Sequence, residues 1–109
     1  MKVLFDPGTP APLRRLLTQH EVATAFEISW SQLKNGELLD AAEKSDFELL
    51  ITTEANLQYQ QRLPTHRIAI IVLLSASWPR IQAVIPNILA CVEPATLGTY
   101  EEIEIPYRS

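Results

Sequence analysis

The chain is poor in several things that would announce a function. It has a single cysteine, Cys91, in 109 residues, so an intrachain disulfide and a cysteine-rich zinc site are both excluded. It has no excess of positive charge. Nine Lys and Arg stand against 13 Asp and Glu, for a formal net charge of −4 and a pI near 5.1, unlike strongly basic nucleic-acid binders. Any contact with RNA must therefore come from local patches or a metal ion. There is no long hydrophobic run: the longest largely apolar stretch, Ile68 to Ala76, is far below the ~20 residues of a membrane span. Repeats, low-complexity segments and linkers are lacking too, and the N-terminus opens on a strand after one lysine, without a leader pattern. A reduced cytoplasm and no membrane contact are expected.

What is present is core. The hydrophobic fraction is 47% and the charged fraction 20%, the balance of an ordered globular chain. The length suits one domain over 1–109. Residues 2–5 read as a short buried strand. Thr9 offers an N-cap and Pro10 a first-turn proline for a helix to about Gln19, with Leu13, Leu16 and Leu17 on one stripe. Glu21 to Phe26 reads as a second strand, followed by a loop carrying Trp30. Asn35-Gly36 caps a helix to about Lys44, and Phe47 to Thr53 is a third strand. Thr53 can cap a short helix over Ala55 to Gln61. Arg67 to Leu74, with its unbroken Ile-Ala-Ile-Ile-Val-Leu-Leu, suits an inner strand covered on both faces.

Ser77 and Pro79 start a helix whose stripe is Ile81, Val84, Ile85, Ile88 and Leu89. Pro86 removes one backbone donor and crowds the carbonyl of Gln82, which predicts a kink or break. Thr99 to Tyr107, with Glu101, Glu102 and Glu104, reads as an exposed edge strand. Strands alternating with helices imply right-handed crossovers and a three-layer α/β/α sandwich around a mainly parallel five-stranded sheet.

Two strands end in acids. Lys2-Val3-Leu4-Phe5 runs into Asp6, and Glu48 to Thr53 runs into Glu54. In parallel α/β sheets, ligands gather beyond the carboxyl ends of the strands. Glu37, in the first turn of the second helix, can reach the same crevice. Hard oxygen donors in a compact site suit Mg²⁺ or Mn²⁺ and hydrolysis of a phosphodiester by a metal-activated water. The plain alternatives are a turn acid at Asp6 and helix-dipole partners at Glu37 and Glu54. Asp40 and Glu43 read as a solvated face, His20 and His66 as surface histidines, and Cys91 as a buried small hydrophobe. Trp30 and Trp78 read as partly buried anchors, and Tyr59 with its neighbouring glutamines as a helix face. Arg14, Arg15, Arg62, Arg67 and Arg80 read as scattered surface arginines, with Arg14 and Arg15 the candidates for phosphate contacts.

Three blocks carry a family resemblance. Met1-Lys2-Val3-Leu4-Phe5-Asp6 resembles the opening of small PIN-like, VapC-like proteins. Gly36-Glu37-Leu38-Leu39-Asp40-Ala41-Ala42 resembles their acid-led second block, and Leu50-Ile51-Thr52-Thr53-Glu54-Ala55-Asn56-Leu57 their third. The order and spacing match over roughly residues 1–75. The resemblance implies a PIN-like fold and a metal-dependent ribonuclease, commonly the toxin of a toxin–antitoxin pair, with a cognate antitoxin protein and homodimerisation. Asp6 would be the first metal ligand and Glu54 the third-block ligand, with Asn56 at a position that is often acidic.

Three departures stand beside it. Asp-Pro-Gly replaces the usual Asp-Glu-Asn, the acid opening the second block shifts to Glu37, and Glu54 is one methylene longer than Asp. They define the alternative, a catalytically impaired PIN-like domain serving as a protein-binding or regulatory module. A receiver-like domain on a similar sheet would need a late-strand lysine, and no lysine follows Lys44.

Overall fold

Short continuous apolar runs, buried on both faces of a sheet, organise the chain. The computed structural model describes residues 1–33, 35–53, 68–95 and 99–105. Five strands, β1 (Lys2–Phe5), β2 (Glu21–Thr24), β3 (Leu49–Thr52), β4 (Ala69–Leu73) and β5 (Tyr100–Ile103), form one sheet. Every neighbouring pair is parallel, and the spatial order is β2-β1-β3-β4-β5. This is a doubly wound α/β fold, with the chain direction reversing across the sheet between β1 and β3.

Alternation assigns each residue to a face. Val3, Phe5, Leu49, Ile51, Ala69, Ile71, Leu73 and Ile103 pack against Leu13, Leu17, Ile81, Ile88 and Val92. Leu4, Leu50, Ile70 and Val72 pack against Leu38, Leu39, Ala42 and Phe47. Helical residues therefore cover both faces. β3 and β4 are buried at every position, which is why they read as continuous apolar runs. The outer strands are β2 and β5, and Glu101 and Glu102 are exposed on the latter, as an edge requires.

The helix expected from Pro10 to Gln19 is instead a 3-10 helix, Ala11–Leu16, capped by Pro10 without a side-chain bond. Its bonds close over three residues, Leu13 N–H to the Pro10 carbonyl at 3.2 Å and Leu17 N–H to the Arg14 carbonyl at 3.1 Å. Leu13 and Leu17 still reach the core, while Leu16 is left 39% exposed.

Helix α1 (Asn35–Lys44) has the expected bounds. It ends in a Schellman motif, with Asp46 at φ 65° and Phe47 N–H donating to the Ala42 carbonyl at 2.9 Å. Beyond β4 the expected helix is split into α2 (Trp78–Gln82) and α3 (Ile85–Val92). Pro86 sits at the start of α3, where its missing N–H would be an orphan in any case. Carried through, one helix would need that N–H for the Gln82 carbonyl; Val84 leaves helical geometry instead, at φ −125° and ψ 23°. Among the described residues no helix is long and apolar enough to cross a membrane. The helix expected over Ala55 to Gln61 lies outside the described residues.

Cys91 lies on α3, half-buried against the core. Burial, and secondarily the Glu101 carboxylate, push its thiol above the ordinary value. The folded state therefore holds the thiol proton more tightly than the unfolded chain does. Its contribution is intact below the unfolded pKa and is lost as pH rises through the folded one. At pH 8, iodoacetamide should alkylate the folded protein more slowly than the urea-unfolded chain; equal rates would refute the placement.

Candidate functional site

The parallel sheet delivers its five carboxyl strand ends to one edge, and Asp6 stands there at the end of β1, beside the middle strand β3. Its backbone N–H donates to the Ile51 carbonyl at 3.1 Å, carrying the β1–β3 pairing one residue further. The chain then turns over Asp6-Pro7-Gly8-Thr9, closed by Thr9 N–H donating to the Asp6 carbonyl at 3.1 Å. Asp at the first position and Pro at the second are the residues such a turn favours.

The Asp6 carboxylate is held from two sides. The Thr9 hydroxyl lies 2.7 Å from Oδ1 and the Thr52 hydroxyl donates to Oδ2 at 2.5 Å. The Thr9 hydroxyl is also 2.9 Å from the Ile51 carbonyl, so its one proton has two acceptors within reach. Thr9 and Thr52 are buried, where an unpartnered hydroxyl would be costly. Thr9 was expected to cap a helix. Its side chain is committed to the acid and to β3, and that correction identifies a site residue. The sequence shows only a threonine near each strand end, and each has an ordinary local role there.

Gly8 is required here for space. Its backbone lies outside the left-handed region, but a Cβ on it would fall 2.6 Å from Thr53 Oγ1. Gly8→Ala should therefore lower stability by about 1–3 kcal/mol, the usual range for an overpacked position. The double variant Gly8→Ala/Thr53→Ala, which removes the opposing oxygen, should recover most of the loss in urea denaturation. A single variant as stable as the wild type would show that the turn does not press on β3.

Asp6 opens onto a cleft of about 440 Å³, lined also by Pro7, Gly8, Thr9, Pro10, Ala11, Thr24, Phe26, Ala76 and Trp78. That is the size range of small-molecule sites. Phe26 belongs to a turn rather than to the end of β2, where the sequence placed it. Thr24 N–H donates to Glu27 Oε1 at 2.9 Å, and Glu27 N–H reaches the Thr24 hydroxyl at 3.2 Å. This reciprocal pair ends the strand and leaves Phe26 66% exposed. Trp78, partly buried, packs on the core from the first turn of α2, as expected for an anchor. Trp30 meets Phe47 edge-on, with centroids 6.0 Å apart.

A second groove of about 370 Å³ adjoins the first through the shared residues Ala11 and Thr24, and it carries Arg14, Arg15 and Glu27. Arg14 is ion-paired with Glu27. The Arg14 hydrogen bond holds the Glu27 carboxyl below its usual value, assisted by the Thr24 amide. Of the two candidate phosphate contacts, Arg14 is thus fixed by an acid; Arg15 is exposed. His20, expected at the surface, has a side chain only 8% exposed and meets Glu93 at 3.1 Å.

Of the expected metal ligands, Asp6 reaches the sheet edge. Glu37 lies exposed in the first turn of α1 and does not line the Asp6 cleft. Glu54 and Asn56 lie outside the described residues, as do Tyr59, Arg62, His66 and Arg67. Among the described residues no three His, Cys, Asp or Glu side chains gather as a metal-binding cluster. The donor set around Asp6, a carboxylate and hydroxyls, is wholly hard oxygen. No family model, curated protein or solved structure matches the chain.

Proposed function

We propose that the chain is a PIN-like, metal-dependent ribonuclease that hydrolyses RNA phosphodiesters, with Asp6 and Glu54 as metal ligands. The observation that carries the proposal is Asp6 itself: a carboxylate at the β1–β3 switch point, oriented by two threonine hydroxyls and facing a cleft of ligand size. Ligands of open α/β sheets bind at this edge. The hard-oxygen donors match Mg²⁺ or Mn²⁺. Bound there, such an ion supplies charge neutralisation and an acidified water. The chain's own part is to fix the carboxylate through Thr9 and Thr52 and to shape the cleft. The same family reading makes the protein a cytoplasmic toxin with a cognate antitoxin, acting as a homodimer.

The second reading is an impaired PIN-like module that binds a protein partner. What favours it is that both Asp6 oxygens already accept hydrogen bonds from threonines, so a purely structural carboxylate is also well served. Mn²⁺-dependent cleavage of an RNA pool by the purified protein and by Asp6→Asn separates the two. Loss of cleavage in the variant supports the nuclease. Absence of cleavage by both, with no heat of Mn²⁺ binding, supports the module.

A further inference from the structure

We infer that Glu27 is an internal competitor for a phosphate-binding site: its carboxylate sits on donors of Arg14 and Thr24, and a phosphate group binds there by displacing it. The inference goes beyond the nuclease reading, since it needs neither a metal nor cleavage.

The donors come from two segments and meet at one oxygen. Arg14 Nη2, on the 3-10 helix, and the Thr24 N–H, at the end of β2, both donate to Glu27 Oε1. The neighbouring Ala25 N–H continues the sheet ladder to the Phe5 carbonyl at 2.9 Å. Successive amides of a strand point to opposite sides, so Thr24 N–H points outward from this edge strand. A guanidinium and a backbone amide converging on one point are donors of the kind that hold phosphate oxygens.

Glu27 serves these donors incompletely. Nε and Nη2 lie along one edge of the guanidinium fork, which matches an anion presenting two oxygens. Glu27 meets Nη2, whereas Nε is buried and has no acceptor among the described residues. A buried donor without a partner is costly. A phosphate group offers an oxygen to each of Nε, Nη2 and the Thr24 amide, where one Glu27 oxygen serves two. The groove also carries Arg15, so with Glu27 displaced its charged side chains are both arginines. Displacement asks little of the protein. The Arg14 and Glu27 side chains are 39% and 48% exposed, and an ion pair so open to water holds weakly. The Glu27 N–H bond to the Thr24 carbonyl at 3.1 Å still closes the turn.

The test follows the two donors by NMR. Isotope-labelled protein in EDTA is titrated with inorganic phosphate at constant ionic strength, and the Arg14 Nε–H and Thr24 N–H signals are read. Glu27→Gln keeps an oxygen for the Thr24 amide and removes the charge that holds Arg14. It should bind phosphate at least about tenfold more tightly than the wild type, the scale of one charge-assisted hydrogen bond, with both signals moving together. Glu101→Gln makes the same change of net charge on β5, at the opposite edge of the sheet, and should bind like the wild type. Arg14→Gln in the Glu27→Gln background should lose binding. Dimethyl phosphate, titrated in parallel, separates the sources: binding of both anions marks a site for backbone phosphodiesters, and binding of inorganic phosphate alone a site for free or terminal phosphate. An equal gain in Glu101→Gln would show a general field effect and overturn the inference. So would phosphate binding that leaves Arg14 Nε–H unmoved, or a folded Glu27→Gln protein no tighter than the wild type. Should Glu27→Gln not fold, the wild type decides: its Thr24 signal must move at higher phosphate and stay fixed in Arg14→Gln. Mn²⁺-dependent cleavage is measured separately, so either reading can fail without the other.

Discussion

Asp6→Asn should abolish Mn²⁺-dependent RNA cleavage, by at least about a hundredfold, while leaving a folded protein. A hundredfold is the scale of loss when one reacting group is misplaced by an ångström, and the substitution also removes a ligand charge. The fold should survive because Asn keeps the shape and one carbonyl acceptor. What it cannot keep is both bonds: one of the two threonine oxygens would then face an amide NH2. The Thr9 hydroxyl has the Ile51 carbonyl as a second acceptor at 2.9 Å. Stability should fall by about 1 kcal/mol, and by about 1–3 kcal/mol for Asp6→Ala, which takes an acceptor away from two buried hydroxyls. Cleavage kinetics beside urea denaturation separate the effects. Full activity in a stable Asp6→Asn protein would remove Asp6 from the chemistry.

Ile51→Ala should be among the most destabilising single changes in the chain, lowering stability by about 2–5 kcal/mol. β3 is the middle strand of the sheet, and Ile51 pairs with Phe5 on one side and Ile71 on the other. It is fully buried in the larger core cluster, with Leu13, Ile81 and Ile88 in the same cluster. With neighbours on every side, a truncated side chain leaves a cavity that little can collapse into. For a domain of this size the loss corresponds to a fall in Tm of roughly 10–20 °C. The backbone carbonyl of Ile51, which accepts from Asp6 and Thr9, is untouched. Residual folded protein should therefore retain its site. Leu16→Ala, at a position 39% exposed, is the control and should cost little. Similar melting of the two variants would contradict the assignment of the core.

The fold was largely legible in the sequence, because parallel sheets buried on both sides leave a strong mark. The unbroken apolar run from Ile68 to Leu74 reads as an inner strand, and β4 is one, while Phe47 to Thr53 reads as a strand that proves to be the middle one. Pro86 announced the break between α2 and α3, since a missing donor has one local consequence. The 3-10 segment was less legible. Its leucines keep helical spacing, which does not separate bonds over three residues from bonds over four.

The site was legible in part. Asp6 could be placed because a strand, an acid and a turn are adjacent in sequence. Thr9 and Thr52 could not be recognised as its partners, because they come from different segments and each has an ordinary local role, a helix cap and a strand residue. Phe26 reads as the end of a strand, and the local Thr24–Glu27 pair cuts that strand short and leaves it exposed.

The paucity of cysteine, basic charge and long apolar segments, together with short unbroken apolar runs alternating with helical stripes, determined by themselves an α/β core without disulfides. Those features act locally or through composition, and a sequence displays them directly. Only the tertiary structure decided the strand order, the two hydroxyls that orient Asp6, and the cleft bordered by Phe26 and Trp78. Each depends on residues far apart in the chain meeting across parallel strands, and such meetings are set by packing.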